Sequence, residues 1–410
     1  MRGGNWGGSV LAESWDRMDK RFTILMPIHS FEPGGVERVG LNLARSWQDA
    51  GHEVIVLLGR DEGQDRAIAP RLRYERQATR LRTARFETLW MIWCLLHFLR
   101  RNRVDAIFCA GNTYAIVCAA ARLFLGQACP PIIAKISNDL ERKDKSPLRR
   151  RLYHVWLALQ GLLFDRFVAM AGSARNEILR HMRIPAHRTA VVPDPALTEA
   201  RLQRLLAIPR TDAVRNCVNV LAIGRLVPQK NFALLIEAFA QGSRPGDTLT
   251  LVGEGPLRAE LEDLARQLGL SAQVRFTGHL TCVDAMLERA DCLVLSSNYE
   301  GVPAVAIEAI AAGLPVIATD CSQSMAELLG LGRRGALLAV GDRQGLAERI
   351  AAARSLKPLC PEQRRFAAAF VVDEARDSYL QVIREAVAAA QDDWSIYLPS
   401  TMRHSPIRGV

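Results

Sequence analysis

Short runs of β-branched and aliphatic residues alternate along this chain with longer stretches whose apolar positions recur every three to four residues. From residue 21 the pattern predicts strands at 22–28, 53–58, 106–109, 132–136 and 167–170, with a helix at 36–49 between the first two. A polar interval from 197 to 216 interrupts the series. The alternation then starts afresh, with strands at 218–223, 248–252, 273–276, 292–295 and 315–318 and helices at 232–240, 257–268, 283–289 and 304–312. Two consecutive β/α series of similar size predict an α/β protein of two Rossmann-like, doubly wound parallel-sheet domains facing across a cleft, with ligands at the C-terminal ends of the strands. The expected domains are 21–194 and 217–370, joined by a linker at 195–216. A last helix, 371–395, is a candidate to cross back to the first domain. The Gly-rich stretch 1–20 reads as a flexible leader within which Met18 is a candidate start, and 396–410 reads as a tail.

With 410 residues, 49% hydrophobic and 23% charged, the chain is long enough for two cores and too apolar for disorder. Its longest apolar run, 89–96, falls far short of the roughly 20 residues of a membrane-spanning helix. The N-terminus lacks the apolar core of a secretory signal, and nine cysteines without a Cys-x-x-Cys pair suit a reducing cytosol. Charge changes the picture more. The net charge is +10, but residues 1–210 hold 33 Lys and Arg against 20 Asp and Glu, and residues 211–410 hold 20 against 23. Between 71 and 151, 17 basic residues face 6 acidic ones, which points to an anionic partner or surface for this half.

Three segments carry candidate chemistry. Gly34 and Gly35 join the first strand to the first helix, where bare backbone N–H groups suit a phosphate or a developing oxyanion; a tight turn explains them equally. Gly224 ends the first strand of the second series, and Arg225 and Lys230 follow at the mouth of the sheet, two cations that suit a diphosphate. The third segment runs from Glu300 through Gly301, Val302 and Pro303 to Glu308. It places one carboxylate just ahead of a helix N-terminus and a second on the helix among small apolar residues. A carboxylate there is costly to bury without partners, and sugar or ribose hydroxyls are good ones. His29 follows the first strand and either touches a ligand or packs in its loop, while His181 and His187 lack the spacing of metal ligands.

Taken together, Glu300-x7-Glu308 with Gly313-x-Pro315-Val316, Gly224-Arg225 with Lys230, 252–256 (Val-Gly-Glu-Gly-Pro), Phe276-x-Gly278 and Gly34-Gly35-Val36-Glu37-Arg38 resemble the retaining glycosyltransferases of the GT-B fold, family 4, over about 21–379. The resemblance implies transfer of a sugar from a nucleoside-diphosphate sugar with retention of configuration. By analogy Arg225 and Lys230 hold the diphosphate, Glu308 the ribose, and Glu300 with the backbone of Gly301, Val302 and Pro303 the transferred sugar. Gly34 and Gly35 approach the reacting phosphate from the other domain. Asn112 and Asn138, with Ser30–Arg38, resemble members that build bacterial surface polysaccharides. Departures are Asn112, near which many members carry His, and Pro193-Asp194-Pro195, where Asn is usual between the prolines.

No Asp-x-Asp occurs in the sequence, so Arg225, Lys230 and the helix N-terminus are expected to meet the leaving-group charge without a metal, and no cofactor beyond the donor is implied. Trp90 and Trp93 between the arginines of 80–103, and Arg149-Arg150-Arg151 beside Tyr153 and Trp156, fit a peripheral site on the inner face of the cytoplasmic membrane. They fit a polyprenyl-linked or other glycan acceptor as well; a buried helix with a basic edge is the alternative. Other functional readings are an epimerase or hydrolase of the same fold, or a non-catalytic nucleotide-sugar-binding membrane subunit. No nucleic-acid reader motif is present.

Overall fold

The computed structural model describes residues 21–395 apart from 33–34, 64, 80–82, 138–139, 143–145, 213–215 and 323, with backbone only at 84, 85 and 392–395. The leader with Met18, the tail, Gly34, Asn138, Arg80 and Arg82 therefore lie outside the described residues.

Both parallel sheets that the pattern predicts are present. The first contains β1 (Thr23–Ile28), β2 (Glu53–Leu58), β3 (Arg73–Arg76), β4 (Ala106–Cys109), β5 (Ile132–Ile136), β6 (Arg166–Ala169) and β7 (Thr189–Val191), in the order β3-β2-β1-β4-β5-β6-β7. The second contains β8 (Asn219–Ile223), β9 (Thr248–Val252), β10 (Val274–Gly278), β11 (Cys292–Leu295), β12 (Val316–Thr319) and β13 (Gly335–Leu338), in the order β10-β9-β8-β11-β12-β13. Strands β4, β5, β11 and β12 are buried at every position, so they read as unbroken apolar runs, as parallel strands covered on both faces do. Each order reverses once, between β1 and β4 and between β8 and β11. There the loops leaving neighbouring strands diverge and open a crevice at the strand ends.

Three strands escaped the pattern. All three lie at sheet edges: Arg-Tyr-Glu-Arg in β3 is polar, β7 is three residues long, and β13, Gly-Ala-Leu-Leu, is apolar but short and has no buried position. The polar interval 197–216 also contains an unpredicted helix, Glu199–Leu206, whose Thr198 cap accepts from Arg201 N at 3.2 Å. Leu197, Leu202, Leu205 and Ile208 turn into the core beneath β11 and β12.

By contact density the chain forms two compact units. One holds the described residues of Met1–Ala134, Leu163–Arg166 and Leu380–Val410, and the other those of Lys135–Leu162 and Phe167–Tyr379. Within the second, Lys135 Nζ lies 2.6 Å from Asp194 Oδ1, both nearly inaccessible at 2% and 7% side-chain exposure. The unusual acid between the two prolines is thus the counter-charge of a buried lysine. All nine cysteines are free and six are buried, among them Cys109, Cys118 and Cys292.

Candidate functional site

At the second sheet's reversal point, β8 and β11 are direct neighbours, with Val220 opposite Cys292 and Leu221 opposite Leu293. The loops that leave them hold the Arg225–Lys230 and Glu300 segments, so topology alone brings together residues about seventy apart in sequence. The β8 loop lies tightly on the loop after β9. Gly224 N donates to Val252 O at 2.9 Å, and Leu226 N donates to Glu254 O at 2.9 Å. A Cβ at Gly253 would come within 1.9 Å of Gly224 O, and one at Gly255 within 2.4 Å of Leu226 O, which is why 252–256 carries two glycines. At Gly224 a Cβ would press on the Lys230 stem at 3.0 Å, so this glycine makes room for that lysine.

Lys230 Nζ is hydrogen-bonded to Glu300 Oε1, which also accepts from Ser297 Oγ at 2.8 Å. Glu300 is buried, at 8% exposure. The two loops are further stapled by Asn298 N to Gln229 O at 2.8 Å, Asn298 Nδ2 to Pro228 O at 2.9 Å and Gln229 Nε2 to Tyr299 O at 3.0 Å. From the far side Thr319 Oγ1 donates to Ser297 O at 2.6 Å, and Ser322 Oγ and Ser324 Oγ donate to Gly301 O at 2.7 and 2.9 Å. Gly301 does permit a close approach, but to Ser137 O, 1.9 Å from where its Cβ would stand. Val302 is half buried, and Pro303 is buried at the N-cap of the helix Ala304–Ala311. Arg225 is exposed and has no ion-pair partner among the described residues, leaving its guanidinium available. Nearby Cys321 is pushed up to about 12 by burial, with the Glu300 carboxylate adding to it, so its thiol stays protonated and is no nucleophile.

Glu308 lies on the same helix and has a partner that sequence reasoning missed. Arg201 Nε donates to Glu308 Oε1 at 2.9 Å, and Arg201 Nη1 is bonded to Asp284 Oδ1. The Arg201 guanidinium, 14% exposed, is held above its usual range: burial opposes this, and Glu308 and Asp284 outweigh it. Arginine thus fixes one oxygen of Glu308 and leaves the other for a ligand. The available signal was Thr198 as a helix cap with Leu202 and Leu205 at helical spacing behind it.

At the first sheet's reversal point the loop after β1 leads to Gly35 and the loop after β4 to Asn112. Gly35 opens the helix Gly35–Asp49 with open space where a Cβ would stand. Asn112 begins the turn Asn112–Tyr114 after β4. Buried Tyr114 donates its hydroxyl to Glu37 Oε1 at 2.5 Å, and His29 N donates to the Tyr114 hydroxyl at 3.5 Å. Burial lowers the His29 imidazole below its ordinary value more than Glu87 and Glu37 raise it, so the ring is neutral at pH 7. The His181 ring lies tilted against that of His154, with centroids 4.2 Å apart, and among the described residues no group of three or more His, Cys, Asp or Glu is placed to hold a metal ion.

Two family models cover most of the chain: Glycosyl transferases group 1 over residues 216–369 and Glycosyltransferase Family 4 over residues 33–198. A lipopolysaccharide core biosynthesis glycosyltransferase, LpsE of Rhizobium meliloti, is 34% identical over 44% of this chain and 54% of its own length, so the chain spans about half of that relative. LpsD of the same organism, also described as a lipopolysaccharide core biosynthesis glycosyltransferase, is 30% identical over 72% of this chain and 78% of its own length. Among solved structures, Anabaena HepE in complex with UDP-glucose superposes with a TM-score of 0.62 at 20% identity, covering 92% of this chain and all of HepE. The chain belongs to the group 1 (family 4) glycosyltransferases, and its two Rossmann-like parallel-sheet domains are those of the GT-B fold.

Proposed function

We propose that the protein is a retaining glycosyltransferase that moves a sugar from a nucleoside-diphosphate sugar to a glycan or polyprenyl-linked acceptor in bacterial exopolysaccharide or lipopolysaccharide assembly. The observation that carries this reading is the Lys230–Glu300 pair at the β8/β11 reversal point, with Arg225 exposed beside it and Glu308 eight residues on. An ammonium has three donors, so Lys230 can hold Glu300 and still offer hydrogens to a phosphate. Arg225 supplies the second cation. Glu300 Oε2 and the backbone from Gly301 to Pro303 face the transferred sugar, and the free oxygen of Glu308 takes the ribose hydroxyls. Gly34 and Gly35 bring backbone N–H groups to the reacting phosphate, and Asn112 and Asn138 serve the acceptor. As the bond to the sugar breaks, Lys230, Arg225 and the helix N-terminus stabilise the charge growing on the leaving diphosphate. That diphosphate takes the proton of the attacking hydroxyl on the same face, so no covalent nucleophile, metal or other cofactor is needed. HepE, of the same fold, binds UDP-glucose, and LpsE and LpsD are named for lipopolysaccharide core assembly; both fit this donor and product class.

On this reading the protein works in the cytoplasm, on the inner face of the membrane that carries a lipid-linked acceptor, and its basic first half supports that. No helix among the described residues is long and apolar enough to cross a membrane. Transfer assayed in excess EDTA, with the product's anomeric configuration read by proton NMR, tests the chemistry. The expected product has the donor's configuration and forms at an undiminished rate. An inverted product, or loss of activity restored by added metal, would overturn the mechanism.

A further inference from the structure

Helix Pro147–Leu163 carries an apolar stripe along one side, yet only Leu157, Gln160 and Gly161 of the helix are buried. Gly161 seats it firmly: a Cβ there would stand 2.0 Å from Met182 O, at the end of the helix Gly172–Met182. The opposite face carries Leu148, Leu152, Val155, Leu159 and Leu162, exposed at 70, 62, 55, 46 and 81%. Their spacing of four, three, four and three residues puts all five in one narrow stripe, about 21 Å long at 1.5 Å per residue. An amphipathic helix ordinarily turns its apolar stripe into a core, and here the stripe faces outward. The aromatic helix Glu87–Leu99 is different: Met91, Cys94, Leu95 and Phe98 are buried, and Trp90 Nε1 donates to Gly59 O at 3.2 Å. Much of that helix is core.

We propose that the stripe Leu148–Leu152–Val155–Leu159–Leu162 is the surface that lies in an anionic lipid membrane, with Arg149 and Arg151 at its flanks. The proposal rests on the membrane-surface reading above and names its contact. Charge selects the occupant. Arg149, Arg150 and Arg151 are the only Lys, Arg, Asp or Glu residues of this helix, so the helix itself holds no acid to balance them. Arg149 and Arg151 project to either side of the stripe, Trp156 adjoins it, and such cations and rings settle at headgroup level while leucines enter the acyl boundary. A second copy of the chain would meet this helix with the same three arginines and no acid, the reverse of the charge pairing that flanks helix–helix seams. Phosphate headgroups supply the missing counter-charge.

Flotation of the full chain with vesicles tests this, using phosphatidylglycerol–phosphatidylethanolamine against pure phosphatidylcholine. The wild-type chain is expected to float with the anionic vesicles and lose binding as salt rises. Leu152→Gln with Leu159→Gln should lower that binding at least about tenfold, and each arginine neutralised should lower it about fivefold. Binding of free nucleoside diphosphate by the leucine variant should match wild type, since both side chains are exposed and neither is among the proposed donor residues. Wild-type chain that ignores anionic vesicles would sink both the membrane reading and its contact. Equal flotation of wild type and leucine variant would sink the contact alone. A lipid-free dimer that the leucine variant converts to monomer would overturn it in favour of a second copy.

Discussion

Lys230→Ala is expected to lower turnover by about 10²–10³-fold, the scale on which one preorganised partner of transition-state charge acts. Two effects combine in this variant. The leaving diphosphate loses a cation, and Glu300, buried at 8% exposure, loses the ammonium bonded to its Oε1 and retains only Ser297 as a side-chain donor. Arg225→Ala removes the other cation from an exposed position and strands no buried charge, so its effect is expected to be the smaller. The fold should persist in both, because the loops remain stapled by Asn298 and Gln229. Steady-state rates with a matched circular-dichroism spectrum check this, and a Lys230→Ala enzyme of undiminished rate would remove the diphosphate assignment.

Asp194→Ala should destabilise the unit that contains it by about 3–5 kcal/mol, the cost of leaving one member of a buried ion pair unpaired. Lys135 is 2% exposed with Asp194 Oδ1 at 2.6 Å, and the removed carboxylate would leave the ammonium enclosed. Adding Lys135→Met to Asp194→Ala should recover most of the loss, since an apolar side chain of similar length needs no counter-charge. Denaturant midpoints of the two variants measure this; equal losses in the single and double variants would show that the pair is not the source.

Much of the fold was legible because parallel strands covered on both faces leave unbroken apolar runs, as Ile107, Phe108, Leu293 and Val294 do. The edge strand Arg73–Arg76 leaves no such trace, since it pairs on one side only and is as polar as a loop. The candidate site was legible where one loop holds the whole signal, as with Gly224 to Lys230 or Glu300 to Glu308. It was illegible where a partner arrives from elsewhere in the chain. Arg201 meets Glu308 across 107 residues and Lys135 meets Asp194 across two strands and two α-helices, and no local periodicity encodes either. Lys230 with Glu300 stands between these cases, because strand order places β8 beside β11 once the reversal point is known.

The central claim, that the β8/β11 reversal point is a nucleotide-sugar site with divided carboxylate roles, meets its most direct test in calorimetric titration with free nucleoside diphosphate. Wild-type protein should bind UDP or GDP; Glu308→Ala should weaken that binding, since its ribose contact exists with or without the sugar. Glu300→Ala should bind the diphosphate as wild type does while losing transfer. Equal weakening by both variants, or unchanged binding in Glu308→Ala, would contradict the account.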